Sequence, residues 1–186
     1  MTFARGCVIA AVLTAIGGTA CHQPAAPVEQ GPVAEEVRRL THPQRVIVLP
    51  FTKPKSFDSD PVPDGVEVTL RVVDVMNDPV KAWGTFRFEL FERRPASGDP
   101  RGERLQNWAK TIGIVDDQVN YWDRVTQTYR FPLGWEGRPL EPERTYVLDV
   151  LFAPPEGDRI IADPYEFKFS VDVEAMRAAA QAEKGS

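Results

Sequence analysis

The feature that most constrains the fold is residues 66–92, VEVTLRVVDVMNDPVKAWGTFRFELFE, where hydrophobic and polar residues alternate in two runs. Side chains of a β-strand point alternately to opposite faces, so each run predicts a strand with one apolar and one polar side. Asn77, Asp78 and Pro79 interrupt the alternation and predict a turn. Because a pair of amphipathic strands is not stable alone in water, the pattern predicts a second sheet over its apolar side.

Further runs along the chain can supply that second sheet. We expect Trp108 and Ile112 to point inward from one run, and Val125 to begin the inward side of the next. About seven to eight short strands separated by turns are typical of a β-sandwich, and we therefore predict an all-β, antiparallel sandwich. The predicted additional strands are residues 46–51, 105–114, 124–133, 145–153, 158–162 and 165–171.

Residues 140–150, LEPERTYVLDV, resemble the L-x-P-x-x-x-Y-x-x-x-V corner of fibronectin type III and related immunoglobulin-like domains. In those domains the tyrosine hydroxyl bonds to the backbone a few residues upstream and holds the crossover between the sheets. The resemblance implies this structural role for Tyr146, with Leu140 and Pro142 as the other motif positions. An ordinary inward tyrosine is the alternative.

Residues 74–80, DVMNDPV, resemble the D-x-x-G-x-P-V turn of carboxypeptidase-regulatory-like and transthyretin-like sandwiches. Asn77 stands where glycine is usual, and asparagine adopts left-handed backbone more readily than most residues. Both resemblances favour the sandwich architecture and imply no activity.

The first 20 residues have the layout of a secretory signal. A basic start with Arg5 precedes an apolar run at residues 7–16, and small residues follow. The run is shorter than the roughly 20 apolar residues that a membrane-spanning helix needs. We therefore interpret residues 1–20 as a removable signal peptide.

The end of this leader, GTAC at residues 18–21, resembles the lipobox of bacterial lipoproteins, with Gly18 where leucine is usual. The resemblance implies that Cys21 is acylated and anchors the chain to a lipid bilayer, since several acyl chains hold a soluble domain at a membrane. In this class an aspartate after the cysteine is the usual signal for the inner membrane. His22 stands there, so we expect the cell envelope and its outer membrane, with the domain on the periplasmic or the surface face. Plain cleavage after Ala20 is the alternative.

Two segments outside the sandwich have compositions of their own. The segment after the signal is proline-rich and typical of a flexible tether, although residues 34–40 have the composition of one or two helical turns. The C-terminal segment is rich in strong helix formers and predicts a short, loosely docked helix. The predicted organisation is residues 1–20 signal peptide, 21–44 lipidated tether, 45–172 β-sandwich and 173–186 C-terminal helix.

The residue types of the predicted sandwich exclude most catalytic chemistry. His22, His42, Cys7 and Cys21 are the chain's histidines and cysteines, and all of them precede the sandwich. Histidine-based catalysis, thiolate chemistry and ordinary zinc sites are therefore not expected, and we predict a non-enzymatic protein without a cofactor or a metal site. The net charge of −5 and the lack of a Lys/Arg cluster argue against a nucleic-acid partner.

Acidic side chains leave two alternatives open. Oxygen-rich loops can bind Ca²⁺, although solvated acidic loops are the simpler interpretation. Two carboxylates could also serve a glycosidase, whose geometry is not visible in a sequence. The acidic residues in question are Asp58, Asp60 and Asp64 in one predicted loop and Asp116, Asp117 and Asp123 in another.

Aromatic residues are the other candidate for a ligand site. Flat rings at the edge of a sandwich can stack on sugars, and we select Tyr121 and Trp122, in a loop-like context, together with Trp135. Core packing is the alternative for each. The sequence thus predicts an interaction or scaffold module for an unidentified envelope protein, with glycan or peptidoglycan binding as the alternative. In size and layout the chain also resembles the outer-membrane lipoprotein of type VI secretion, which carries a transthyretin-like sandwich.

Overall fold

A computed structural model describes residues 32–58, 63–135 and 140–169, with side chains from residue 35 onward. The predicted signal peptide, Cys21 and the predicted helix at residues 173–186 lie outside the described residues.

The described residues form two short helices and ten strands. The helices are α1 (Pro32–Thr41) and α2 (Val115–Tyr121). The strands are β1 (Arg45–Val48), β2 (Lys53–Lys55), β3 (Gly65–Val73), β4 (Gly84–Arg93), β5 (Arg101–Ile112), β6 (Trp122–Asp123), β7 (Thr128–Gly134), β8 (Thr145–Ala153), β9 (Ile160–Ile161) and β10 (Tyr165–Lys168).

The strands form two antiparallel sheets that pack against each other, so the predicted all-β sandwich is confirmed. Sheet A has the order β1–β3–β7–β6, and sheet B has the order β10–β8–β4–β5. Two short strands, β2 and β6, were not among the predicted seven to eight. In sheet A both β1 and β2 pair with β3, and in sheet B both β9 and β10 pair with β8.

Residues 66–92 contain the two predicted strands, but these strands do not pair with each other as implied. β3 lies in sheet A and β4 lies in sheet B, and residues 74–83 connect the two sheets. Alternation alone could not separate these arrangements, because strands that face each other across a core also bury their apolar sides. Leu70 of β3 and Phe86 of β4 are both fully buried in that shared core.

The connection between the sheets begins with the turn that the sequence indicated. Asn77 has a φ of 70°, the left-handed backbone expected at this position. The Asp74 side chain accepts hydrogen bonds from the backbone amides of Met76 (2.8 Å) and Asp78 (3.0 Å). These bonds fix the turn, and Pro79 then forms a bridge back to Val73.

Aromatic rings fill the centre of the core. The Phe86 ring centroid lies 4.6 Å from that of Phe152 and 5.1 Å from that of Phe131, so it joins strands of both sheets. The inward positions of Ile112 and Trp108 are confirmed, since Ile112 is fully buried and Trp108 packs against the core. The Trp108 Nε1 also donates a 2.6 Å hydrogen bond to the carbonyl of Gly134, which links sheet B to sheet A.

Two predictions about the ends of elements have different outcomes. Val125 is 92 % exposed, so its inward placement was wrong; it lies in the β6–β7 turn rather than in a strand. The helical turns expected at residues 34–40 are present within α1, where Pro32 suits the first position because its φ is already helical. Within the described residues, neither helix has the length and apolar character that crossing a bilayer requires.

Candidate functional site

The aromatic residues selected from the sequence pack on the core. Tyr121 ends α2 and Trp122 begins β6, so their predicted loop-like context was wrong. The Tyr121 ring lies 4.9 Å from the Phe131 ring, and the Trp122 ring lies 4.9 Å from the Tyr129 ring. Both side chains are half-buried by these contacts, which leaves little ring surface for a ligand.

Trp135 is also half-buried and is remote from Trp122 along sheet A. Trp122 pairs with Tyr129, and Trp135 follows six residues later at the other end of β7. At about 3.3 Å per residue, this separation is about 20 Å along the strand. The structure therefore does not bring the predicted aromatic set into one face. The most exposed aromatic ring among the described residues is that of Phe51, at 71 %.

Tyr146 makes the hydrogen bonds that the corner motif implies. Its hydroxyl donates to the backbone carbonyl of Glu141 (3.0 Å) and accepts from the Glu141 amide (2.8 Å). Burial raises the pKa of the Tyr146 hydroxyl above its usual value. Leu140 is buried in the core, whereas Pro142 is exposed. This motif fixes the connection into β8, and none of its three residues lines either of the pockets described below.

Two of the acidic residues considered as calcium ligands, Asp64 and Asp117, hold turns. Asp64 accepts a hydrogen bond from the Phe57 amide (2.8 Å), and Asp117 accepts from the amides of Gly113 (2.8 Å) and Ile114 (3.0 Å) at the start of α2. No cluster of three or more His, Cys, Asp or Glu side chains suited to a metal ion occurs in the described part of the chain. Asp60 lies outside the described residues.

A pocket of about 650 Å³ lies on the outer face of sheet A, and we call it the sheet A pocket. Its volume is in the range of small-molecule sites, which is about 300–1,000 Å³. The buried side chains of Thr69 and Thr128 lie at its base. The lining residues are Leu49, Pro50, Phe51, Lys53, Glu67, Thr69, Arg71, Thr126, Thr128 and Arg130.

Two short sequence repeats build the polar side of this pocket. Residues 69–71 (TLR) in β3 and 128–130 (TYR) in β7 each place a threonine and an arginine on the outer face. The antiparallel register sets Thr69 opposite Arg130. Arg71 consequently lies diagonal to Arg130, at the roughly 7–8 Å separation typical of such neighbours.

A break in the edge strand builds the apolar wall. Between β1 and β2 the Thr52 hydroxyl takes over part of the ladder, donating to the Thr69 carbonyl (3.1 Å) and accepting from the Thr69 amide (3.0 Å). The Leu49 amide still donates to the Thr69 carbonyl (2.8 Å), and the chain leaves the sheet at Pro50 and Phe51. Pro50 has no amide to donate to a ladder, and Phe51 projects into solvent beside the pocket.

The pocket is cationic although the chain as a whole is acidic. It is lined by three cations and one carboxylate, and that carboxylate, Glu67, already pairs with Lys55 at 2.6 Å. Arg130 pairs with Asp123 at 2.8 Å. Backbone hydrogen bonds from Thr126 and Val125 hold the pKa of the Asp123 carboxyl below its usual value. Asp123 therefore stays charged and fixes both the turn and Arg130.

Among these cations, Arg71 alone has a buried nitrogen without a partner in the described part of the chain. Its one hydrogen bond to a described residue is a long one, 3.4 Å to the carbonyl of Thr126, and its buried Nε has no partner there. A buried donor without a partner costs about 1–3 kcal/mol, and more when the group is charged. Such a group calls for a specific explanation, and a ligand is one.

The outer face of sheet B carries a second pocket, of about 420 Å³, with a different character. There the Asp149 Oδ2 accepts a 2.5 Å hydrogen bond from the Arg101 Nε, while the buried Asp149 Oδ1 has no partner among the described residues. Arg87 and Ile161 also line it. This pocket lacks an exposed aromatic ring, so the sheet A pocket is the better candidate.

None of the sheet A pocket residues is among the site residues predicted from the sequence. The signal was present as the repeated threonine–arginine spacing, which was interpreted only as the polar side of two strands. The comparisons with known proteins point to no other site: no protein-family model, curated protein or solved structure matches this chain.

Proposed function

We propose that this chain is a lipoprotein of the cell envelope, held at the outer membrane by an acylated Cys21, whose sandwich is a non-enzymatic interaction module. The sheet A pocket is its binding surface. The observation that carries this proposal is the combination there of an exposed ring, Phe51, with a cation, Arg71, whose guanidinium makes one long hydrogen bond and whose buried Nε has no partner among the described residues. In the isolated domain the unpartnered donor costs free energy and the Phe51 ring is left exposed. A bound partner would accept a hydrogen bond from the arginine and cover the ring.

The residue types in the pocket support binding rather than catalysis. Arginine and lysine side chains are charged at neutral pH and do not act as general bases there. The pocket's one carboxylate, Glu67, is engaged with Lys55 at 2.6 Å. The residues that line the pocket include no histidine, and their one lysine, Lys53, is exposed and therefore charged at neutral pH, so it does not act as the base that would activate a threonine hydroxyl.

Anchoring through Cys21 is tested by replacement. We expect Cys21→Ala to move the protein from the membrane fraction to the soluble fraction, because the acyl chains that supply the membrane affinity can no longer be attached. Fractionation followed by immunoblotting measures this. A Cys7→Ala variant is the matched control and should stay with the membrane. An unmodified Cys21 thiol in mass spectra of the purified protein would contradict the anchoring.

The binding surface is tested by photo-crosslinking in intact cells. A photoreactive phenylalanine analogue at Phe51 should give a discrete adduct, because this side chain projects from the sheet A pocket. The matched control is the same analogue at Ile161, which is equally exposed at 71 % but lies on the outer face of sheet B. Adducts at Ile161 with none at Phe51 would place the interaction on the wrong sheet and overturn this part of the proposal.

Glycan or peptidoglycan binding is the second candidate function. It was predicted from Tyr121, Trp122 and Trp135, but Phe51 is the more exposed ring and lies beside hydroxyl and guanidinium donors, the groups that bind sugars. The mass of the Phe51 adduct separates the candidates, since it identifies either a protein or a saccharide. Inner-membrane secretion components in the adduct would favour a type VI-like apparatus.

A further inference from the structure

We propose that the sheet A pocket binds an acidic saccharide, whose acid group is held by Arg71 and Arg130 and whose ring lies against Phe51. This inference rests on the proposed function, because it takes the sheet A pocket as the binding surface and names the chemistry of its ligand.

The charge of the pocket argues for an acid group. Lys53 and Arg71 have no ion-pair partner among the described residues, and Arg130 shares only Asp123. An anion placed between these side chains would gain from all three cations. The two carboxylates nearby, Glu67 and Asp123, are paired with Lys55 and Arg130, and these pairs offset their repulsion of an anion.

The geometry of Arg71 argues for an acid with two oxygens. A guanidinium presents parallel N–H donors that match the two oxygens of a carboxylate or the oxygens of a phosphate. In the described structure Arg71 uses one of its five N–H donors, on the carbonyl of Thr126 at 3.4 Å. It is therefore free to form the paired hydrogen bonds that such an acid accepts.

The remaining walls argue for a sugar attached to that acid. The pocket, at about 650 Å³, is far larger than a lone carboxylate or phosphate needs. Leu49, Pro50 and Phe51 provide apolar surface on one side, on which the C–H face of a sugar ring can pack. The exposed Thr126, whose hydroxyl shares a 2.7 Å hydrogen bond with that of Thr128, lines the polar half of the pocket that would meet sugar hydroxyls.

The test is calorimetric titration of the purified mature domain with two sugars that differ in one acid group. N-acetylmuramic acid carries a carboxyl on its O3 side chain, and N-acetylglucosamine lacks it. We expect the acid to bind at least about tenfold more tightly, which corresponds to about 1.4 kcal/mol. N-acetylglucosamine 6-phosphate, a second acid on the same ring, distinguishes a phosphate ligand from a carboxylate ligand.

Variants on the two sheets locate the effect. Arg71→Met should abolish the preference for the acids, and Arg71→Lys, which keeps the charge but not the paired donors, should retain only part of it. Arg87→Met, which removes one exposed positive charge from the outer face of sheet B, is the matched control and should leave the preference unchanged. Thermal melting checks the fold of each variant; because the Arg71 Nε has no described partner, Arg71→Met should melt no lower than the wild type.

Three results would overturn the inference. These are equal binding of the acidic and neutral sugars, an equal loss in the Arg71 and Arg87 variants, and no measurable binding of any of the three sugars. These results would not by themselves overturn the proposed function. If a neutral sugar bound in a way that depended on Phe51, or if a protein adduct formed at Phe51 in cells, the sheet A pocket would remain the binding surface. Only the inference that the ligand carries an acid group would then be wrong.

Discussion

Phe86→Ala is expected to lower the free energy of unfolding by about 3–5 kcal/mol, the range found when a large buried ring is removed from a core. Phe86 is fully buried and its ring lies within 5.7 Å of those of Tyr129, Phe131 and Phe152. Those rings come from both sheets, so none can close the cavity without moving a strand. Urea unfolding followed by tryptophan fluorescence measures the change.

Phe51→Ala is the matched control for this prediction. The same atoms are removed, but from a side chain that is 71 % exposed, so the free energy of unfolding should change by less than about 0.5 kcal/mol. Similar losses for the two variants would show that the core is not organised around Phe86.

Gly84→Ala is the second large effect that we expect. Gly84 begins β4 with a φ of 144°, a conformation that costs other residues about 1–3 kcal/mol. An added Cβ would also meet the carbonyl oxygen of Ala153 and would lie 2.9 Å from the Cα of Pro154, both of them backbone atoms. The strain and the clash together should lower the melting temperature by many degrees, because β4 and β8 must separate to relieve them.

Gly98→Ala tests whether the loss is specific to that position. Gly98 lies in the exposed β4–β5 connection, and a Cβ there would have no atom within 4 Å. We expect its melting temperature to stay within about 2 °C of the wild type, since surface changes away from special features are small. If the two alanine variants melt together, the backbone conformation at Gly84 is not a constraint on this fold.

Much of the sandwich could be predicted because period-two alternation is a local property. The strand expected at residues 145–153 matches β8, and the left-handed backbone expected at Asn77 is present. Strand pairing was harder to predict from the sequence. Alternation records which side of a strand is buried but not which strand covers it, so β3 and β4 could be read as partners in one sheet although they lie in two.

The sheet A pocket was harder to predict for a related reason. Arg71 and Thr69 occur at outward positions of a strand, where polar residues are ordinary, so the repeated threonine–arginine spacing does not by itself indicate a site. They form a site only because the strand register brings Arg130 beside them and the break between β1 and β2 places Phe51 next to them. Conversely, Tyr121 and Trp122 were predicted as ligand residues from their residue type alone. In the structure Tyr121 packs on Phe131 and Trp122 packs on Tyr129.

The interruption between β1 and β2 also affects whether copies of this protein can associate through the edge of sheet A. An unpaired edge strand can pair with a strand of a neighbouring molecule, and long, flat edge strands are the most prone to this aggregation. Here the edge of sheet A consists of β1, with four residues, and β2, with three; Pro50 lies between them, and β2 contains two lysines. A second copy would therefore find no continuous template on this side, which would suit a protein concentrated in two dimensions by the proposed acylation of Cys21.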